Sequence, residues 1–155
     1  MKKAFTLIEL IIFIGIIGLL ILIFALTVNS QKAQIRDLKR INDVDSLRNA
    51  MQVMKTSTGS FLRASCELGM VSTCSRQPNS DLTTYLPSLY NLNDPKFSGN
   101  ICDSSRACQE DGCNYTFTIL ADDDYSVLFH LEKGVAPYTE PGCYQLTSQG
   151  IRKIQ

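Results

Sequence analysis

The chain has 155 residues, a mass of 17.3 kDa and a formal net charge of zero, with 45% hydrophobic and 19% charged side chains. That is room for one ordinary domain. The balance excludes a basic nucleic-acid binder read from charge alone, an acidic disordered tail and a low-complexity chain. The zero is a sum over unlike parts: residues 1–4 carry +2 through Lys2 and Lys3, residues 5–58 carry +2, and residues 59–155 carry −4.

Leu10 to Val28 is a run of 19 residues without a charge. At ~1.5 Å per residue it is long enough to span a bilayer core of ~30 Å. Glu9 stands just inside this apolar helix. A charge at the bilayer centre costs about 2.5–3.5 kcal/mol, and less near the edge. Glu9 is therefore either a functional acid or a side chain that snorkels to the interface. The segment also admits a conventional secretory signal, with Lys2 and Lys3 as its basic start and Val28-Asn29-Ser30 as its cut. Its apolar run is longer than the core of such signals. A plain N-terminal anchor is a third reading, and the positive-inside rule does not decide it, because Lys32, Arg36, Lys39 and Arg40 follow the span.

After Val28 the apolar pattern becomes periodic. Ile35, Leu38, Ile41, Val44, Leu47, Met51 and Met54 recur at steps of three and four, which predicts one packed stripe of an amphipathic helix. Gly59 is the predicted C-terminal cap. One helix from Phe5 to about Ser57 is expected, roughly 80 Å long, with no Pro to break it near Leu26. Residues 32–40 form a basic face that could meet anionic lipid or DNA. Interleaved acids and the lack of aromatics in 29–58 argue against nucleic acid.

The six cysteines, Cys66, Cys74, Cys102, Cys108, Cys113 and Cys143, all follow the helix. An even count in a small exported domain predicts up to three disulfides, and the fifteen full pairings stay open. The spacings lack the tight C-x2-C knuckle of zinc sites. Residues 59–112 read as loops with one short helix near Leu82, Tyr85, Leu86 and Leu89. Then the period switches to two. Tyr115, Phe117 and Ile119 face one way, Asp122-Asp123-Asp124 turns the chain, and Tyr125, Val127, Phe129 and Leu131 alternate after it. This predicts a β-hairpin over about 114–132, with a third strand at Cys143–Thr147. His130 is expected to be structural. Asp122, Asp123 and Asp124, with Asp94, could offer oxygen ligands to Ca²⁺, although the triplet has no EF-hand spacing and a turn explains it. No phosphate loop or H-E-x-x-H string is present, so no enzyme and no other cofactor is expected.

Lys2-Lys3-Ala4-Phe5-Thr6-Leu7-Ile8-Glu9 at the head of the apolar run resembles the class III signal of type IV pilins and type II secretion pseudopilins. The resemblance covers residues 2–24. It departs at Ala4, where the family prefers Gly, and at Leu26, where many pilins carry Pro. The resemblance implies an α+β, pilin-like fold: a long N-terminal helix packed on a small antiparallel sheet. It implies a leader at 1–4, a membrane and filament-core half at 5–28 that includes Phe5, Leu10, Gly15 and Gly18, an amphipathic half at 29–58, and a disulfide-rich head at 59–155. A prepilin peptidase would cut between Ala4 and Phe5 and methylate the Phe5 amine. Glu9 would pair with that amine on a neighbour and set the register. Partners would be other copies, other pilin-like subunits, and an inner-membrane platform driven by a cytoplasmic ATPase. The expected place is the bacterial inner membrane, single-pass, with the head in the periplasm or outside. The alternative of another class is a secreted or anchored disulfide-rich binding or adhesin module that does not polymerise.

Overall fold

The computed structural model describes residues 6–97, 99–104, 107–109 and 112–154, and their side chains except at 25–30. The predicted cleavage pair Ala4 and Phe5 lies outside the described residues. The chain divides into two compact units, Met1–Ala33 and Gln34–Gln155. Helix α1, Leu7–Thr58, has 52 residues and contributes to both, passing residue 26 without interruption. It ends as the sequence predicts. Gly59 takes φ +83 and its N–H reaches back to the Lys55 carbonyl at 2.8 Å, a left-handed stop that costs Gly little.

The second unit is an α+β domain built on a five-stranded antiparallel sheet. Strands β1 (Gly69–Met70), β2 (Thr116–Leu120), β3 (Tyr125–Leu131), β4 (Gly142–Thr147) and β5 (Gly150–Lys153) lie side by side in that order. The β2–β3 hairpin and β4 stand where the period-two pattern puts them. Strand β3 is buried along its whole length, as the middle of the sheet requires. One sheet face, through Tyr115, Phe117, Tyr125, Val127, Phe129, Leu131, Tyr144 and Leu146, shares a core with Ile41, Val44, Leu47, Met51 and Met54 of α1. On the other, Leu128 lies with Cys102, Cys108, Cys113 and Cys143 in a second cluster.

Three expectations need correction. Ile35 and Leu38 are 67% and 49% exposed, so they do not extend the packed stripe. Asp37 and Arg40 occupy the inward positions there, because each has buried partners of opposite charge or polarity. Ile119 is half exposed instead of sharing a face with Phe117. A bulge between Phe117 and Ile119 inserts Thr118 without a partner on β3, which moves Ile119 off the core face and lets Leu120 pack against it. Finally, β1 and β5 escape the pattern. The first has two residues, and the second is an edge strand with Arg152 and Lys153 in place of apolar alternation.

Between 59 and 97 the chain is held largely by short turns. Helix α2 is a single turn, Leu82–Tyr85, followed by a 3₁₀ turn at Pro87–Asn91. Leu82, Leu86, Leu89 and Leu92 are all buried in the main core.

Candidate functional site

The described apolar part of the N-terminal unit, Leu7–Phe24, is helical and has no cover of its own. Leu7–Phe24 has a mean hydropathy of 3.1, and none of it is buried. Its large apolar side chains stand 39–77% exposed on every side of the helix. Burying one such side chain gains roughly 1.5–3 kcal/mol, so the segment as a whole has a strong drive toward lipid or other helices. This is one helix long and apolar enough to cross a membrane. At Gly15 and Gly18 nothing lies within 4 Å of where a Cβ would stand. Two missing side chains one turn apart leave a notch where another helix can approach closely.

Glu9 is exposed and lies in the first turn. Thr6 and Glu9 form a loose capping box. The Glu9 N–H donates to Thr6 Oγ1, and Thr6 N–H and hydroxyl donate to Glu9 Oε2, each at 3.4 Å. This satisfies amides that a helix start leaves without partners. The T-x-x-E spacing in the sequence carries that signal.

The second unit buries a cluster of charges. Arg40 has no exposed side-chain surface. Its Nη1 lies 2.7 Å from both Asp37 Oδ1 and Glu132 Oε1, and its Nε lies 2.6 Å from Asp94 Oδ2. Burial alone would lower the Arg40 pKa. The carboxylates of Asp94, Asp37 and Glu132 outweigh that and hold the guanidinium charged above its ordinary range. Asp37 also accepts the backbone N–H groups of Glu132, Lys133 and Gly134 at 2.8–2.9 Å. Gly134 has φ +81, and a Cβ there would stand 2.5 Å from the Thr139 carbonyl carbon, so only Gly lets this loop close over the carboxylate. Glu132 is held down to about 2 by its hydrogen bond from Arg36, against the opposing effect of burial, with help from Arg40. Beside the cluster, the Tyr115 hydroxyl donates to Asp43 Oδ2 at 3.0 Å. Burial first, and then the Asp43 and Asp94 charges, raise its pKa. No sequence period finds this cluster, because its members come from residues 36–43, 94, 115 and 132.

No protein family, curated protein or solved structure matches the chain. The reading of function therefore rests on the residues themselves.

All six cysteines pair, as Cys66–Cys74, Cys102–Cys113 and Cys108–Cys143. The Sγ atoms of Cys102, Cys108 and Cys113 lie within 4.8 Å of one another, a spacing that thiolates could share with a metal, but each sulfur is already in a disulfide. His130 is 8% exposed, and its Nδ1 lies 2.7 Å from the Cys108 carbonyl oxygen. That contact is structural. Asp94 does not serve the Asp122–Asp124 triplet, because both its oxygens bind Arg40. Asp123 pairs with Lys55, and Asp124 accepts the Ser148 N–H at 3.1 Å.

Proposed function

We propose that the chain is a pilin-like structural subunit with no enzymatic activity. It is inserted in the bacterial inner membrane, trimmed between Ala4 and Phe5, and polymerised through the N-terminal half of α1. The filament is either a type IV pilus or a type II secretion pseudopilus. One observation carries this reading: Leu7–Phe24 is apolar on every face and wholly exposed, and its one acid, Glu9, stands in the first turn. A secretory signal needs the apolar run, but it has no use for an acid at its head.

Further support comes from the order of elements. One helix runs from the apolar segment into an α+β domain with an antiparallel sheet and three disulfides. That order is compatible with a pilin layout, and the disulfides suit an oxidising compartment. In a filament core, a Glu9 carboxylate beside a neighbour's Phe5 amine would give each buried charge its partner. A register slip would leave both uncompensated.

The test is the intact mass and N-terminal sequence of the mature protein. A chain that begins at a methylated Phe5 is the expected result. A chain that begins at Gln31 overturns the reading in favour of a secreted, disulfide-rich binding module.

A further inference from the structure

The charge cluster has an inside and an outside. Its four acids are withdrawn: the side chains of Asp37 and Asp94 have no exposure, Glu132 has 10% and Asp43 has 19%. Its cations face out: Lys39 and Lys96 are each 49% exposed and Arg36 is 29% exposed. Only Arg40 is enclosed. Lys133, exposed, adds a fifth cation, on the loop whose amides Asp37 holds. The groups are contiguous. Lys96 Nζ and Arg36 share Glu132, and Lys39 Nζ lies 3.3 Å from the Asn93 carbonyl, in the same loop as Asp94 and Lys96. Among the described residues the cluster holds five cations and four acids. Because these acids lie underneath, the groups it presents to solvent are mainly cations, although residues 59–155 sum to −4.

The patch is also tethered. Arg36 follows Phe24, the end of the apolar segment, by twelve residues. A chain of that length keeps Arg36 within about 40 Å of the segment's end. A surface that presents cations above withdrawn acids, and that is tied to a membrane span, is complementary to anionic lipid. From these observations we infer that Arg36, Lys39, Lys96 and Lys133 form a docking surface for anionic phospholipid headgroups. The surface holds the head against the membrane before the subunit leaves it. This rests on the reading of Leu7–Phe24 as a membrane span. Each basic side chain near an anionic surface adds about fivefold to the association.

The test uses the full chain in lipid nanodiscs. Hydrogen exchange is followed at the amides of 93–97 and 132–136. The discs are made either of phosphatidylcholine alone or with added phosphatidylglycerol. Insertion into both kinds of disc is the first readout, and failure to insert overturns the span and this inference together. With insertion, exchange at those amides should slow by about fivefold or more in the anionic discs. The slowing should vanish at about 1 M NaCl, where the screening length is about 3 Å. It should also vanish in the Lys39→Gln, Lys96→Gln, Lys133→Gln triple variant and persist in the matching Arg triple variant, which controls for folding. Equal exchange in the two discs, with insertion intact, overturns the docking surface and leaves the span standing. The same protection from inorganic phosphate in neutral discs, or from duplex DNA without any response to phosphatidylglycerol, also overturns it.

Discussion

Arg40 and Asp94 form a two-pronged ion pair between α1 and the loop before β2, Nε to Oδ2 at 2.6 Å and Nη2 to Oδ1 at 2.9 Å, with neither side chain exposed. The pair has consequences because Arg40 is shared. The same guanidinium also answers Asp37 and Glu132, so its removal leaves three carboxylates facing one another in the interior. Arg40→Met should lower the stability of the full chain by about 3–5 kcal/mol. Arg40→Lys keeps the charge but loses the planar fork, so its loss should be smaller. Urea unfolding in detergent measures both. A loss below about 1 kcal/mol for Arg40→Met would show that the carboxylates escape to water.

Glu132 makes the cluster sensitive to acid. Its folded value, near 2, lies below the ordinary 4.5, because Arg36 and Arg40 bind the ionised form. A depressed folded value means that the contribution is fully present above about 4.5 and is lost as pH falls toward 2. The stability difference between wild type and Glu132→Gln should therefore be flat at neutral pH and shrink across that acid window. A difference that stays constant down to pH 2 contradicts the assignment.

The disulfides should differ in weight with the loops they close. Cys108–Cys143 spans 35 positions and Cys66–Cys74 spans 8. Chain entropy gives about 4 kcal/mol for the first and about 2.5 kcal/mol for the second. Unfolding of the two Cys→Ser double variants, each with the other bridges intact, checks the order. The reverse order would mean that packing around Cys74, which is buried in the main core, and not loop closure, decides the cost.

Much of the fold could be read from periodicity. The stripe from Ile41 to Met54 follows from one helix face meeting one core, whereas the uniform apolar run has no polar face at all. Failures came where a side chain's partner is remote in sequence. Asp37 and Arg40 read as solvent-facing until residues 94 and 132 arrive to pair with them, and that displaces Ile35 and Leu38 outward. The Thr118 bulge breaks a period of two without any Gly or Pro to announce it. Edge strand β5 looks like a polar tail because its charges protect an open edge. A count of cysteines carries no geometry, so it cannot choose their pairing. At the candidate site, Glu9 stood out through the cost of a charge in lipid, whereas its bond to Thr6 was visible only as a short spacing.

Beside that bond, the proposed filament reading would give Glu9 a second role, and the choice of substitution distinguishes the two. As the third helical residue after Thr6, Glu9 closes a capping box, and Gln serves that position nearly as well as Glu. As a registry residue it must be negative, because its partner would be an ammonium group. Glu9→Gln should therefore leave the subunit folded and membrane-inserted, while its incorporation into filaments falls by more than about tenfold. Thr6→Ala should do the opposite, loosening the helix start at a cost of about 1 kcal/mol while assembly persists. Glu9→Ala should show both defects. Quantifying sheared filaments against membrane-retained subunit for the three variants gives the answer. If Glu9→Gln assembles like wild type, the carboxylate charge has no part in register, and Glu9 is a helix cap alone.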